Sequence, residues 1–281
     1  SEFQSTIDHP GSGALLGIDE DRLLLVKEQR PGLPFSTFEI PGGVCELDET
    51  HEQAARREFW EETGYEVGYT FHAFTFNPSV GYSNEMISIF YAEVEAKSGI
   101  PERETIWVSR KEAKALIDSG RITDAQTLTA MSYWLLNELD FRLPSVIFLC
   151  TGNYYRSRFA EIYFNHLSQT SDHPRADSKG LLAWRKINEG MISPHTLDYL
   201  IRENIPNGKL KFPEQVEERH FHSRTRIIAM DEVEHLKMME KDFPKYAHQI
   251  EYWQVHDIDF TDPDQALPVL KEKVEALVKN L

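Results

Sequence analysis

The rhythm of apolar and polar positions changes near the middle of the chain. In the first half, short β-prone runs, ALLGID (14–19), RLLLVKEQ (22–29), YTFHAFTF (69–76) and MISIFYAEV (86–94), are separated by Gly, Pro and Asp signals. Apolar residues recurring at three and four predict helices over 50–62, 110–118 and 124–138. The tetrad RLPS at 142–145 marks a boundary, because Pro144 should end the preceding helix and a new apolar run starts at once. Beyond it, SVIFLC (145–150) leads directly into a helix with Phe159, Ile162, Tyr163 and Leu167 on one face. A helix around 193–203, the strand RIIAM (226–230), a helix opening at Asp231 and a last helix over 264–280 follow. Alternation of this kind predicts a parallel, doubly wound sheet. The reading is two α/β domains, 4–143 and 144–281.

Length agrees, since 281 residues suit two domains better than one. The longest apolar runs, LLLV and VIFL, are far too short to span a bilayer, and no charged-then-apolar leader is visible, so no membrane is expected. A net charge of −16 argues against a nucleic-acid partner, whose binding depends on neutralising phosphates. The two cysteines, Cys45 and Cys150, allow no disulfide framework, and a reducing cytoplasm is the natural location.

Two stretches carry candidate chemistry. On a helix, THEQAARREFWEE places Ala54, Ala55 and Phe59 on a packing stripe and Glu58, Glu61 and Glu62 on another face. Three crowded carboxylates repel one another, so the face is either simply solvated or a ligand set for a hard divalent cation. The preceding PGGVCELDE lets the backbone approach a ligand closely. In the second stretch, CTGNYYRS (150–157) joins a strand to a helix. That geometry would aim backbone N–H groups and the helix N-terminus at one point. The same field, with Arg156, favours the thiolate of Cys150, and Arg156 can grip a phosphate bidentately. The alternative is a buried strand-end cysteine with a chance arginine.

The spacing Gly43, Glu49, Arg57-Glu58, Phe59, Glu61-Glu62, Gly64 resembles the Nudix box, with Phe59 and Tyr65 replacing aliphatics. The resemblance implies a Nudix α/β/α sandwich with a mixed sheet. It also implies hydrolysis of a nucleoside diphosphate linked to another group, with Mg2+ (or Mn2+) held at Gly43, Glu58, Glu61 and Glu62, and Arg57 as partner of Glu49. VKEQR, FEIPGG, GYSNE and GRITDAQTLTAMSYWL resemble the ADP-ribose pyrophosphatase branch. That likeness implies Glu85 as the group activating water, Arg30 and Glu39 near the substrate, and a homodimer through this half. Pro78 stands three residues before Gly81, a departure from the branch.

VIFLCTGNYYRSRFAE, ADSKGL, RIIAMDEVEHL and the late Asp262-Pro263 resemble the low-molecular-weight protein tyrosine phosphatases. This implies that Cys150 attacks phosphorus within a loop of Thr151, Gly152 and Asn153. Arg156 would hold the equatorial oxygens, Ser157 would support the thiolate and Asp262 would protonate the leaving oxygen, with no metal. Three departures stand out: Tyr155 replaces the second loop cysteine, Arg158 replaces a proline, and Asp264 and Gln265 stand where aromatics usually line the pocket. Arg158 is therefore either a cation at the pocket mouth or a surface charge, and His220 and His222 read as surface residues. The combined expectation is a bifunctional fusion acting on small phosphorylated substrates such as ADP-ribose or a phosphorylated derivative. The alternative is a protein tyrosine phosphatase regulated by a nucleotide-sensing Nudix domain.

Overall fold

The computed structural model describes residues 7–168, 174–185 and 188–281. The chain forms two compact units that divide between Phe141 and Arg142.

The first unit runs β1 (Ser12–Asp19), β2 (Arg22–Glu28), β3 (Thr37–Glu39), β4 (Gly42–Val44), α1 (His51–Thr63), β5 (Tyr65–Val67), β6 (Phe71–Phe76), β7 (Ile87–Lys97), β8 (Thr105–Ser109), α2 (Arg110–Asp118) and α3 (Ala125–Leu136). Its sheet is mixed: β1 pairs with β7 in parallel and with β2 antiparallel. Both faces of β1 are covered, which explains its nearly unbroken apolar run. Leu15 packs with Leu24, Phe90, Ala55 and Phe59 of α1, whereas Leu16 and Ile18 join Leu23, Ile89, Met131 and Trp134 on the opposite face. The result is a sandwich of helix, sheet and helix. α1 lies so close to β1 that a Cβ on Gly13 would come within 2.0 Å of the His51 carbonyl oxygen. The start of α1 is closed by a capping box, in which Thr50 accepts from Gln53 N and the Gln53 side chain accepts from Thr50 N.

The second unit runs β9 (Val146–Cys150), α4 (Arg156–Leu167), β10 (Ala176–Gly180), α5 (Pro194–Arg202), β11 (Arg226–Ala229), α6 (Glu232–Asp242), β12 (Glu251–Tyr252) and α7 (Pro263–Lys279). All strand pairs are parallel and the order is β10-β9-β11-β12. The chain leaves β9 toward β10 on one side and returns to β11 on the other, so the C-terminal end of β9 is the switch point where doubly wound sheets bind ligands. Cys150 is the last residue of β9. Phe148, Phe159, Tyr163, Leu200, Leu267, Leu270 and Val274 form the core on the face carrying α4, α5 and α7. Among the described residues no helix is long and apolar enough to cross a membrane.

Candidate active sites

In the first unit, α1 sets its carboxylates against the β4 backbone. Glu58 lies over Gly43, where a Cβ would meet the Glu58 Oε1 at 2.3 Å, so any larger residue would push the carboxylate from this position. Glu62 accepts from Gly42 N at 3.3 Å. Burial, and then the neighbouring charge of Glu58, push the Glu62 pKa up to about 7. Arg57 makes the expected bidentate pair with Glu49, both contacts at 2.9 Å. It also reaches Glu58 at 2.7 Å and Glu61 at 3.1 Å, a reach that spacing alone did not reveal.

The donor set fits a hard divalent cation: every side-chain donor is a carboxylate oxygen, and Glu62 sits in a repulsion that a cation would relieve. Among the described residues, no three potential ligand side chains are gathered around one point. Arg57 holds two of the three glutamates. Glu28, paired with Arg103, adds a further carboxylate within electrostatic reach of Glu62.

The flanking residues fall in three different places. Glu85 accepts from Ser12 Oγ at 3.0 Å and stands 3.6 Å from His9 Nε2. Arg30, half exposed, donates through Nε to the buried Glu39 at 3.1 Å. Phe90 is core and Tyr82 is exposed.

In the second unit, the loop after β9 is braced from behind. Asn153 adopts a left-handed φ of 51°, donates to Ser157 Oγ at 3.2 Å and Ser178 Oγ at 2.8 Å, and accepts from Glu214 N at 2.9 Å. Ser157 Oγ lies 2.9 Å from the Cys150 sulfur. Asn suits this backbone because its short polar side chain tolerates the left-handed region. Tyr155, the N-cap of α4, gives no capping hydrogen bond, so the first amides of α4 stay open to an outside acceptor.

Arg156 is fully buried at this helix start. Its Nη1 donates to Val255 O at 3.0 Å and its Nη2 pairs with Asp257 at 2.8 Å, while Glu234 stands 2.9 Å from Nη1. Its Nε is buried with no hydrogen-bond partner among the described residues. Burial opposes the guanidinium, but Cys150, Glu234 and Asp257 outweigh it and the Arg156 pKa is raised. Glu234 also accepts from the Thr151 hydroxyl. Burial works against the Glu234 carboxylate, yet His235 and Arg156 hold its pKa well below the usual range. A 420 Å3 cavity opens here, lined by Cys150, Thr151, Gly152, Tyr155, Arg156, His195, Asp257 and Asp259 among others. The Tyr155 hydroxyl is buried without a hydrogen-bond partner among the described residues, and burial, then Asp257, push its pKa up to about 12.

Several expectations change. Asp262 does not line this cavity: it is the N-cap of α7, accepting from Asp264 N at 2.8 Å, with Pro263 in the first turn. The nearby acidic groups on the wall are Asp257 and Asp259. Arg158 is neither at the mouth nor on the surface. It is fully buried and pairs with Glu161 at 2.5 Å, inside a network where Lys179 and Lys211 meet Glu214 at 2.7 and 2.6 Å and Asp177 joins both lysines. Burial opposes the Lys211 ammonium, but Asp177, Glu161 and Glu214 outweigh it and raise its pKa. His220 is buried too, its Nδ1 accepting from Glu217 N at 2.8 Å.

Family models match both units: a NUDIX domain over residues 8–131 and a low molecular weight phosphotyrosine protein phosphatase over residues 145–277. An ADP-ribose pyrophosphatase of Bacillus subtilis (strain 168) is 34% identical over 140 residues, covering 47% of this chain and 76% of that protein. A methanol dehydrogenase activator of Bacillus methanolicus matches with 34% identity over 140 residues and the same 47% and 76% coverage. A solved low molecular weight protein tyrosine phosphatase from Streptococcus pyogenes aligns at 21% identity with a TM-score of 0.43, over 50% of this chain and 93% of that one.

Proposed function

The chain belongs to the Nudix family through residues 8–131 and carries a low molecular weight phosphatase domain over residues 145–277, and we propose that this enzyme is a bifunctional hydrolase acting on two kinds of phosphorus bond. The first unit cleaves the pyrophosphate of a nucleoside diphosphate sugar, ADP-ribose or a phosphorylated derivative. The second hydrolyses a phosphomonoester through a phosphocysteine.

The observation that carries the second activity is the buried, unpartnered Nε of Arg156 beside Cys150. A buried donor without an acceptor costs about 1–3 kcal/mol, which an anion seated in the loop would recover. The open N-terminus of α4 supports the same reading. Thr151, Gly152 and Asn153 shape the loop, Ser157 stabilises the Cys150 thiolate, and Arg156 orients the phosphate oxygens.

For the first activity, the likeness to an ADP-ribose pyrophosphatase, 34% identical and covering 47% of this chain, supports ADP-ribose as substrate. Glu58, Glu61 and Glu62, with the Gly43 backbone, would hold Mg2+ or Mn2+, which supplies charge neutralisation of the pyrophosphate and a polarised water. Arg57 meets one oxygen of Glu58 and one of Glu61 while keeping Glu49, so the second oxygen of each glutamate would be the one offered to the cation. Glu85 takes a proton from the attacking water, and Arg30 and Glu39 position the nucleotide.

A second reading, a protein tyrosine phosphatase governed by a nucleotide-sensing first unit, draws on the name of the matching phosphatase family. One panel separates the two: nucleoside diphosphate sugars, phosphotyrosine peptides and sugar phosphates, assayed on wild type, Glu62→Gln and Cys150→Ser with and without EDTA. Turnover of ADP-ribose that vanishes with EDTA or Glu62→Gln is the expected result. If ADP-ribose binds without being cleaved and phosphotyrosine peptides are the only compounds hydrolysed, the sensor reading replaces ours.

A further inference from the structure

The loop that carries Glu85 is held by the chain segment just before β1. Ile7 N donates to Tyr82 O at 2.8 Å, and Asn84 N donates to Ile7 O at 3.3 Å. The Asn84 side chain closes the pairing: its Oδ1 accepts from His9 N at 2.8 Å and its Nδ2 donates to Asp8 Oδ1 at 2.7 Å. From the other side, Asn77 Nδ2 donates to the Glu85 carbonyl oxygen at 2.8 Å. At Ser12, β1 pairs with Val44 of β4 and with Ile87 of β7. The segment therefore stands between the strand that Glu58 lies over and the loop that offers Glu85.

Two side chains of this segment reach the Glu85 carboxylate, and both meet Oε1: Ser12 Oγ donates at 3.0 Å and His9 Nε2 stands at 3.6 Å. The His9 ring is oriented by Gly11 N, which donates to Nδ1 at 3.1 Å. That bond puts the hydrogen of the neutral ring on Nε2, the nitrogen facing Glu85. A separation of 3.6 Å is longer than a hydrogen bond, and catalytic contacts of this length often tighten only once substrate is bound. Resting on the pyrophosphatase reading above, we propose that His9 is the positioning residue for Glu85. Its Nε2–H holds Oε1 together with Ser12, and Oε2 is the oxygen left to take the proton from water.

The two ring nitrogens can be separated by substitution. Asn places an amide oxygen where Nδ1 stands, so it keeps the Gly11 bond but offers no donor to Glu85; Gln reaches the Nε2 position with an amide N–H. Wild type, His9→Asn, His9→Gln, Glu85→Gln and the double variant His9→Asn with Glu85→Gln are assayed on ADP-ribose with Mg2+, and each is melted in EDTA. His9→Asn should lose about 10–100-fold in kcat, the cost of a small misplacement of a reacting group, with KM and Tm close to wild type. His9→Gln should recover most of that loss. On the residual rate of Glu85→Gln, adding His9→Asn should change little, because both substitutions remove one interaction. Wild-type kcat in His9→Asn, equal losses in His9→Asn and His9→Gln, a matching fall in Tm, or a further loss on Glu85→Gln overturns this proposal alone. A wild type that leaves ADP-ribose uncleaved overturns the pyrophosphatase reading, and wild-type kcat in Glu85→Gln overturns the role given there to Glu85; either result takes this assignment with it.

Discussion

α1 and α4 both present chemistry suited to phosphorus, but from different parts of a helix. α1 closes its N-terminus with the Thr50–Gln53 box and carries its functional groups on its flank, where Glu58 and Glu62 repel each other. α4 leaves its N-terminus open and places Cys150 and Arg156 at that end. Two glutamates record the difference. Burial and a like charge raise Glu62 to about 7, whereas His235 and Arg156 hold Glu234 below the usual range despite burial. The first site has an excess of acceptors and is completed by a cation. The second has an excess of donors and is completed by an anion.

The strongest way to break this comparison is to remove one group from each side. Cys150→Ser should lower phosphomonoester turnover by at least about 10³-fold with pyrophosphate cleavage intact, and Glu62→Gln should do the reverse by about 10²-fold or more. Kinetic assays of both activities on both variants check this; crossed losses would show that the sites are not independent catalysts. Next in size, Lys179→Met strips one cation from the buried network and should destabilise the second unit by about 3–5 kcal/mol in urea unfolding.

The glutamates predict opposite pH behaviour. The folded-state pKa of Glu62 lies above its ordinary 4.5, so its ionisation costs stability that is absent below about pH 4.5 and fully present above about pH 7. In EDTA, Glu62→Gln should therefore gain about 2 kcal/mol over wild type at pH 7.5 and nothing at pH 4.5. Glu234 is depressed, so it contributes stability above about pH 4.5 that is lost on acidification; Glu234→Gln should be destabilised at neutral pH. Unfolding of both variants at the two pH values decides, and shifts of the same sign would end the contrast. The smallest effect is Thr50→Ala, expected to cost about 1 kcal/mol by opening the α1 cap, read as a small drop in Tm.

The placement of the candidate residues is legible where they stand at fixed spacing within one turn or helix: Glu58, Glu61 and Glu62 on α1, Cys150 to Ser157 across β9 and α4. The sheet classes followed from the change in apolar rhythm. What escaped was decided by contacts distant in sequence. The sequence leaves Arg158 as a cation at the pocket mouth or a surface charge; Glu161 three residues on is a signal for a pair, and only the fold shows that Lys211 and Glu214 wall the pair in. Asp262 was ambiguous for a different reason: Asp followed by Pro is also the signature of an N-cap with proline in the first turn, and α7 uses it that way. Glu234, 78 residues from Arg156, carries no local signal at all.

The network of Arg158, Lys179 and Lys211 with Glu161, Asp177 and Glu214 has a consequence for how this protein can change over generations. Each cation is almost wholly shielded from water and balanced by a carboxylate. Replacing one partner strands the other charge, while replacing a matched pair by apolar residues of similar volume can be neutral or better. These positions are thus tied together in inheritance: descendants should keep the set intact or exchange its members in pairs, and every single-step intermediate must pass through a weaker fold.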